Sequence, residues 1–553
     1  MANIAALLTA QLATPGRTLY RQFTGGAWRD FTAAEIAAAA SRWQAAFRRE
    51  GFVAGDRVAI GLRNGVDWVA LDLGALGAGL VVVPLYADDN PENQAYSVAT
   101  SGARLAVVET GRAAEALERA GVAAATLLCA RPEHSGARSW ESFQPVPDQP
   151  FTAAPMAPDA LATICFTSGT AGRPKGVMLS HENILANVAG CRATGMARPD
   201  DVFLSLLPLS HMFERTGGYY LPLAIGARVV YARGVAHLAE DLANQRPTKM
   251  FAVPRIFEKL AARIRAGGAG SPWKRWVVER CAAIGFRVAQ GDATIVDRML
   301  APLLRRIVAR PILARLGGSL RIAVVGGAAL DPDIARLFIG LGLPVLQGYG
   351  LTEASPVVAV DRLGDNDPET VGRPLPNVEV RLSDAGELLV RGPNVMRGYW
   401  NDPEATARVV DRDGWLRTGD LAELRDGRVA IRGRLKDILV LSNGEKLSPQ
   451  DVELAILGDD TFEQILLFGE GRPFLTLLAV AKEEDEKALV RRANERLKAF
   501  PGYIRVRRAI VSPEPWTVEN DLLTPTMKVK RNQVLKRFAP EIDAVYAGGA
   551  TAG

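Results

Sequence analysis

The sequence predicts an α/β protein built on mostly parallel sheets, and three observations carry that expectation. Strand-like and helix-like segments alternate through the first part of the chain, a proline-rich break precedes a second stretch of the same character, and beyond Val371 short strands are divided by Gly, Asn and Asp turns. Arg57–Leu62 reads as a strand, Val66–Ala78 as a helix, Gly79–Pro84 as a strand and Arg104–Glu109 as another. Alternation of this kind puts helices on the faces of a parallel sheet. Prolines at 145, 147, 150, 155 and 158 mark a linker. Further on, Arg321–Val325 is an apolar strand running into Gly326–Gly327, and Asp331 followed by Pro332 has the form of a helix N-cap and first turn. From Lys436 on, strands at Gln464–Gly469 and Leu475–Ala481 and a charged helix at Glu483–Ala499 describe a small α+β unit.

Composition limits what such a protein does. At ~150 residues per domain, 553 residues make three or four compact units. Four scattered cysteines, with no CxxC pair, exclude a disulfide scaffold and a structural zinc site and fit a reducing, cytoplasmic setting. An excess of 66 basic over 61 acidic residues is too small to argue for a polyanion, and no RRM, KH or zinc-finger signature is present, so no nucleic acid partner is expected. The first basic residue is Arg17, which gives no secretory signal. The longest apolar run, Leu73–Tyr86, is shorter than the ~18 residues of a spanning helix.

The segment that carries chemistry follows the β-favouring run Leu161–Phe166. Thr167-Ser-Gly-Thr-Ala-Gly-Arg-Pro-Lys-Gly176 combines hydroxyls, glycines and cations, a mixture unsuited to a core and well suited to wrapping a polyphosphate. Glycines let backbone N–H groups approach, hydroxyls donate, and Lys175 neutralises charge. It is not a Walker A loop, because Pro174 precedes the lysine and Gly176 follows it.

This loop resembles the phosphate-loop signature of the AMP-forming adenylating enzymes: acyl-CoA synthetases, peptide-synthetase adenylation domains and luciferases. Ala171 stands where the family usually has Thr or Ser. Further family-like motifs follow in the family's order: Pro208-Leu-Ser-His-Met-Phe-Glu-Arg215, Gly326-Gly-Ala-Ala329, Gln347-Gly-Tyr-Gly-Leu-Thr-Glu353, Arg417-Thr-Gly-Asp420, Gly433-Arg-Leu-Lys-Asp-Ile438, Asn443-Gly-Glu-Lys-Leu-Ser-Pro449 and Leu523-Thr-Pro-Thr-Met-Lys528. The resemblance implies two doubly wound α/β subdomains plus a small β-section over residues 1–432 (about 1–150, 158–346 and 347–432). A hinge at 433–437 and a small, mobile α+β domain over 438–553 complete the expected fold.

The resemblance also implies roles. Thr167, Ser168, Gly169, Thr170, Gly172 and Lys175 would cradle the phosphates of ATP. Glu353 would hold Mg²⁺, as a hard cation requires, and Thr352 would donate to the α-phosphate. Gly326, Ala328, Gln347, Gly348, Tyr349 and Gly350 would border the nucleotide, Asp420 would accept from the ribose hydroxyls, and Arg434 would approach ribose and phosphates. Lys528 would bridge the substrate carboxylate and the α-phosphate, with Lys530 as the rival assignment. Lys436 would sit at the pivot, with Gly444 and Lys446 lining the path of coenzyme A. His211 would border the acyl site, where positioning or gating, simple packing, and general-base action are the alternatives.

The Leu204–Arg215 and Arg246–Glu258 stretches are most similar to long-chain fatty acyl-CoA synthetases. The implied reaction makes a fatty acyl-adenylate with release of pyrophosphate, then acyl-CoA and AMP. Adenylation of another carboxylic acid, transfer to a carrier protein, and a non-catalytic acyl or nucleotide binder are the rival readings. Trp273–Leu316 carries nine Arg or Lys against three Asp or Glu, with apolar residues interleaved. Such a segment suits the inner face of an anionic membrane, as a peripheral contact, or else packed helices with a solvated basic face.

Overall fold

The computed structural model describes residues 3–122, 126–131, 138–147, 149–167, 174–266, 271–442, 445–483, 485–524 and 527–547. The chain forms two compact units: Met1–Thr167, Pro174–Val380 and Val390–Leu416 make the first, and Arg381–Leu389 with Arg417–Gly553 belong to the second.

The first unit contains two large sheets. One has eight strands, in the order Gly398–Tyr399, Lys175–Ser180, Leu161–Thr167, Val81–Pro84, Arg57–Gly61, Leu105–Thr110, Thr126–Arg131 and Arg138–Ser139. Its interior pairs are parallel, as the strand–helix alternation requires. Leu161–Thr167 folds back on Lys175–Ser180 as an antiparallel pair, with Thr167 opposite Lys175. The other sheet has nine strands, and its centre is the parallel set Val345–Gly350, Ile322–Val325, Lys249–Ala252, Val202–Ser205 and Arg228–Tyr231. The central strands are largely buried and apolar, as a sheet covered on both faces requires.

The expected elements occur with small shifts at their ends. The helix at Val66–Ala78 spans Val66–Gly77, and the strand at Arg321–Val325 spans Ile322–Val325. The Asp331 side chain accepts from the Asp333 N–H at 2.8 Å, with Pro332 at the first helical position. Three helices matter below: α1 (Pro272–Gln290), α2 (Ile295–Leu304) and α3 (Pro332–Gly340). A side chain at Gly285 of α1 would collide with the carbonyl of Gly340 in α3, and one at Gly340 with the Ala282 carbonyl, so the two backbones approach as only paired glycines allow.

In the second unit, Phe462–Phe468, Leu475–Ala481 and Val506–Val511 form a three-stranded sheet. Its alternating side chains feed two cores. Ile465, Leu467 and Leu477 pack with Ile456, Leu489 and Ala493, while Leu466, Leu478 and Val480 pack with Trp516, Leu523 and Val534. The charged helix is shorter than the sequence suggests, Glu486–Arg496, with Asp485 capping it. Glu379–Leu382, Glu387–Arg391, Leu416–Arg425 and Arg428–Arg434 form a four-stranded sheet, the last two strands being an antiparallel hairpin.

Candidate active site

In the first unit, the parallel neighbours Ile322–Val325 and Val345–Gly350 deliver their carboxyl ends to the same edge of the sheet, where open α/β sheets bind ligands. Gly326 follows one strand, and Leu351-Thr352-Glu353 follows the other. A methyl on Gly326 would lie 3.1 Å from the Gly348 carbonyl oxygen and 3.1 Å from the Phe213 ring, so glycine keeps this edge open. Thr352 and Glu353 begin a single 3₁₀ turn, Thr352–Ala354. Tyr349 pairs with Ala359. The Gln347 amide donates to the carbonyls of Pro368 (2.7 Å) and Thr370 (3.1 Å), which ties it into the scaffold.

The Glu353 carboxylate has a partner that sequence reading did not single out. Tyr399 donates its hydroxyl to Glu353 Oε1 at 2.8 Å, and the ammonium of Lys175 lies 4.9 Å from the centre of the Tyr399 ring. Burial and the Glu353 charge hold the Tyr399 phenol far above its usual range, so it acts as a donor. Antiparallel pairing puts Tyr399 opposite Val177, two residues beyond Lys175. One strand pair thereby fixes the loop cation and the phenol, and the phenol reaches the acid on the separate turn Thr352–Ala354. Ser168, Gly169, Thr170 and Gly172 lie outside the described residues; Thr167 ends its strand opposite Lys175.

His211 caps the short helix Met212–Glu214, its Nδ1 accepting from the Phe213 N–H at 3.2 Å. Asn64 secures the preceding loop through Leu207 (2.6 Å) and Leu209 (2.8 Å). Glu214 and Arg215, next in the motif, are fully buried. Burial pushes the Glu214 carboxyl up to about 8, with Ser205 and Leu207 pulling weakly the other way. Arg215 forms an ion pair with Asp72 and donates to Thr163 at 3.0 Å. Tyr219 and Tyr220 donate to the second Asp72 oxygen at 3.1 and 2.9 Å. Burial raises the Asp72 carboxyl, and Arg215 with the two phenols opposes it.

The second unit holds a separate cluster. Asp420 and Arg434 are directly opposed in the hairpin, and their side chains pair at 3.1 Å. Asp420 is buried, whereas the Arg434 side chain is 40% exposed. Glu387 orients the turn before Asp420 by accepting from Arg417 and from the Gly419 N–H, each at 3.0 Å. Lys528 belongs to the same cluster. Its residue surface reaches solvent, but crowding of the ammonium by protein atoms and then repulsion from Arg434 lower it to about 8, against the attraction of Asp420. Lys530, the rival lysine, is engaged in an ion pair with Asp521 at 2.5 Å. Lys436 is exposed in the turn Leu435–Asp437. Gly444 and the Lys446 side chain lie outside the described residues.

Glu353 fits Mg²⁺ in kind: it is a hard oxygen donor, one oxygen of which is already oriented by Tyr399. Among the described residues no group of three His, Cys, Asp or Glu side chains forms a metal cage. A single carboxylate suits an ion that takes its remaining ligands from phosphate and water.

Comparison with known proteins matches these features. Residues 9–400 match the AMP-binding enzyme family, and residues 436–550 match the AMP-binding enzyme C-terminal domain. The long-chain-fatty-acid–CoA ligase FadD15 of Mycobacterium bovis is 30% identical over 98% of this chain and 97% of its own length. Human long-chain-fatty-acid–CoA ligase 1 is 30% identical over 89% of this chain and 78% of its own. Among solved structures, the adenylation domain of a carboxylate reductase from Mycobacterium chelonae superposes with a TM-score of 0.79 at 23% identity, covering 99% of this chain and 91% of that one. An anthranilate CoA ligase in complex with anthranoyl-AMP gives 0.78 at 20% identity, covering 98% of each chain. A fold shared along the whole chain, a match to both of the family's domains and relatives at 30% identity end to end make this chain a member of the AMP-binding enzyme family.

Proposed function

We propose that the protein is a long-chain fatty acid–CoA ligase that works through an acyl-adenylate. The observation that carries this reading is the cluster of Asp420, Arg434 and Lys528. Two cations beside one acid leave net positive charge, and a lysine lowered to about 8 by crowding and repulsion is poised for an anionic ligand. The full-length likeness to proteins named as long-chain-fatty-acid–CoA ligases supports the substrate class.

In this mechanism the carboxylate oxygen of the fatty acid attacks the α-phosphorus of ATP, and pyrophosphate leaves. The thiolate of coenzyme A then attacks the acyl carbon, and AMP leaves with the bonding pair. Neither step needs a protein nucleophile; both need anions held at bonding distance, so positioning and charge neutralisation carry the catalysis. Lys528 neutralises the meeting carboxylate and α-phosphate, Asp420 accepts from the ribose hydroxyls, and Lys175 faces the phosphates with Thr167 and the loop that follows. Glu353, oriented by Tyr399, holds Mg²⁺, which when bound screens the triphosphate charge. Thr352 donates to the α-phosphate, and Gly326, Ala328, Gly348, Tyr349 and Gly350 border the base. Movement about Lys436 brings the loop of Gly444 and Lys446 to the coenzyme A thiol for the second step. His211, which caps the turn leading to Glu214, positions the wall of the acyl site. We place the reaction in the cytoplasm, at the inner membrane face, where long-chain acids partition.

Pyrophosphate release with Mg-ATP, measured across acids from acetate to palmitate with and without coenzyme A, tests the reading. Multiple turnovers that require coenzyme A and peak with long chains are expected. A burst independent of coenzyme A would point to another acceptor, and a preference for short or aromatic acids would overturn the substrate class.

A further inference from the structure

Glu214 is buried without the partners that a buried carboxyl requires, and the adenylation chemistry does not use it. Its side chain is fully enclosed, and among the described residues neither oxygen meets a donor in hydrogen-bonding geometry. Ser205 and the Leu207 N–H lie on its side without closing such a bond. The charges next to it are committed elsewhere: Arg215 faces Asp72, and Tyr219 and Tyr220 donate to the second Asp72 oxygen. An ionised carboxyl enclosed without a cation or a donor is costly. Burial pushes the Glu214 carboxyl up to about 8, in agreement with a proton held at neutral pH.

The surroundings of this acid are polar all the same. Ser205 and Tyr231 end two neighbouring parallel strands in register, and the Tyr231 phenol lies near enough to respond to the Glu214 charge. The Tyr231 ring stacks on Tyr20, centres 5.8 Å apart. Both phenols are buried, and neither hydroxyl has a partner among the described residues. Burial raises both well above their usual range, so each keeps its proton and offers a donor. An acid and two phenols enclosed together suit bound water, which bridges polar groups that the protein leaves unmatched.

The chain around Glu214 is shaped to hold it. The helix Met212–Glu214 runs into a π-helical stretch, Arg215–Tyr220, a form that recurs at functional sites. A methyl on Gly218 would collide with the Glu214 carboxyl, and the three atoms nearest to it all belong to that group, so glycine provides the slot. Beside it, a methyl on Gly217 would lie 2.7 Å from the Phe251 ring, and Phe251 meets Phe213 edge to face at 5.4 Å. Phe213 in turn closes on Gly326, at the carboxyl edge of the nine-stranded sheet. Consecutive residues thus face two ways, Phe213 toward that edge and Glu214 into the enclosed polar pocket. We infer that Glu214 is a positioning residue for the acyl site: carried as the neutral acid and bonded through buried water to Tyr231, it anchors the turn that holds His211 and Phe213 at the Gly326 edge. The acyl site in this statement rests on the ligase reading; the neutral acid and its water do not.

Infrared difference spectroscopy of the full chain against Glu214→Gln tests the protonation. At neutral pH the native protein should show the carbonyl stretch of an un-ionised acid that the variant lacks; loss of a carboxylate band instead would overturn the proposal. For positioning, Glu214→Leu should raise the KM for the acid substrate about tenfold, as loss of an anchoring hydrogen bond does, with kcat and the KM for ATP little changed. Glu214→Gln, neutral and still able to bond to water, should recover most of that loss. Gly218→Ala should reproduce the rise by closing the slot, and adding it to Glu214→Ala should raise KM no further. Tyr231→Phe should raise KM less than additively with Glu214→Leu, because both remove ends of one bridge; full additivity would remove the water from the proposal. A Leu variant with native KM, a Gln variant as impaired as Leu, or parallel losses of kcat, both KM values and melting temperature, as plain packing damage gives, would overturn the positioning role. The infrared measurement needs no substrate and no Leu variant. It therefore decides even where that variant does not fold, and its failure is read separately from a failure of the pyrophosphate assay.

Discussion

Two arginine–aspartate pairs in this protein use the same chemistry to different ends. Arg215 and Asp72 are both fully buried, and Thr163, Tyr219 and Tyr220 take up further polar positions around them. Arg434 and Asp420 pair across a hairpin with the guanidinium 40% exposed and a second cation, Lys528, competing for the same acid. Bringing two charges out of water is repaid only when neighbours saturate them. In the first pair the scaffold engages both terminal guanidinium nitrogens and both carboxylate oxygens, leaving only Arg215 Nε without a hydrogen-bond partner, and the pair serves the fold. The second is incompletely neutralised, which leaves room for the charges of a ligand. The number of neighbours already engaged, more than the identity of the pair, separates a structural ion pair from a binding one.

Breaking the buried pair should have the largest effect on stability. Arg215→Met leaves Asp72 buried and unpaired, which costs about 3–5 kcal/mol. Asp72→Asn added to it should recover much of that loss in denaturant titration, because no uncompensated charge remains and the phenols keep an acceptor. No recovery would mean that Arg215 acts through packing on Trp68, whose ring lies 5.1 Å away. At the open pair the effect should appear in kinetics instead. Lys528→Ala should slow adenylate formation on the order of 10²–10³-fold while sparing thioester formation from supplied acyl-AMP; equal loss in both steps would remove its assigned role. Asp420→Ala should raise the KM for ATP about ten- to a hundredfold, the range for hydrogen bonds to a charged group, with melting little changed.

The pH dependence sharpens the contrast further. Lys528 is useful as a cation, so adenylation kcat/KM should fall as pH rises through about 8, where the ammonium loses its proton. Arg434→Gln removes a repulsion and should move that midpoint upward; an unmoved midpoint would mean that crowding alone sets it. Glu214 titrates over an overlapping range, but that titration bears on stability. Its folded-state value is raised to about 8 from 4.5, so the folded protein binds the extra proton between those values and stability falls as pH rises across that window. Glu214→Gln should flatten this slope. The smallest effect belongs to Tyr399→Phe, which removes one hydrogen bond worth about 1 kcal/mol and should weaken apparent Mg-ATP affinity several-fold without changing the acyl preference.

Much of the fold was legible because its signals are local. The apolar runs at Arg57–Gly61, Ile322–Val325 and Leu475–Ala481 and the Asp331-Pro332 helix start each depend on a few adjacent residues. The order of strands within each sheet was not legible, since it is set by contacts between segments tens to hundreds of residues apart. Tyr399 shows the same limit at the site: its partnership with Glu353 and Lys175 exists only because its strand pairs with Lys175–Ser180. No local feature of Gly398-Tyr-Trp400 announces it. The motif residues Gly326, Thr352, Glu353, Asp420, Arg434 and Lys528 were found through family resemblance, and the structure gathers them into two clusters, one in each unit. In α2, apolar residues lie on both the inward and outward faces, so periodicity could not tell a buried stripe from an exposed one.

The glycine contact between α1 and α3 divides the mutational freedom of this region in two. At Gly285 and Gly340 any side chain meets backbone, so these positions have no neutral neighbours in sequence space. The solvent side of the same helix has no such restriction, and its residues are exchangeable at little cost to folding. A lineage can therefore rewrite the outer surface of α1 and α2, exchanging tryptophan and isoleucine for other side chains, while the glycine contact beneath stays fixed.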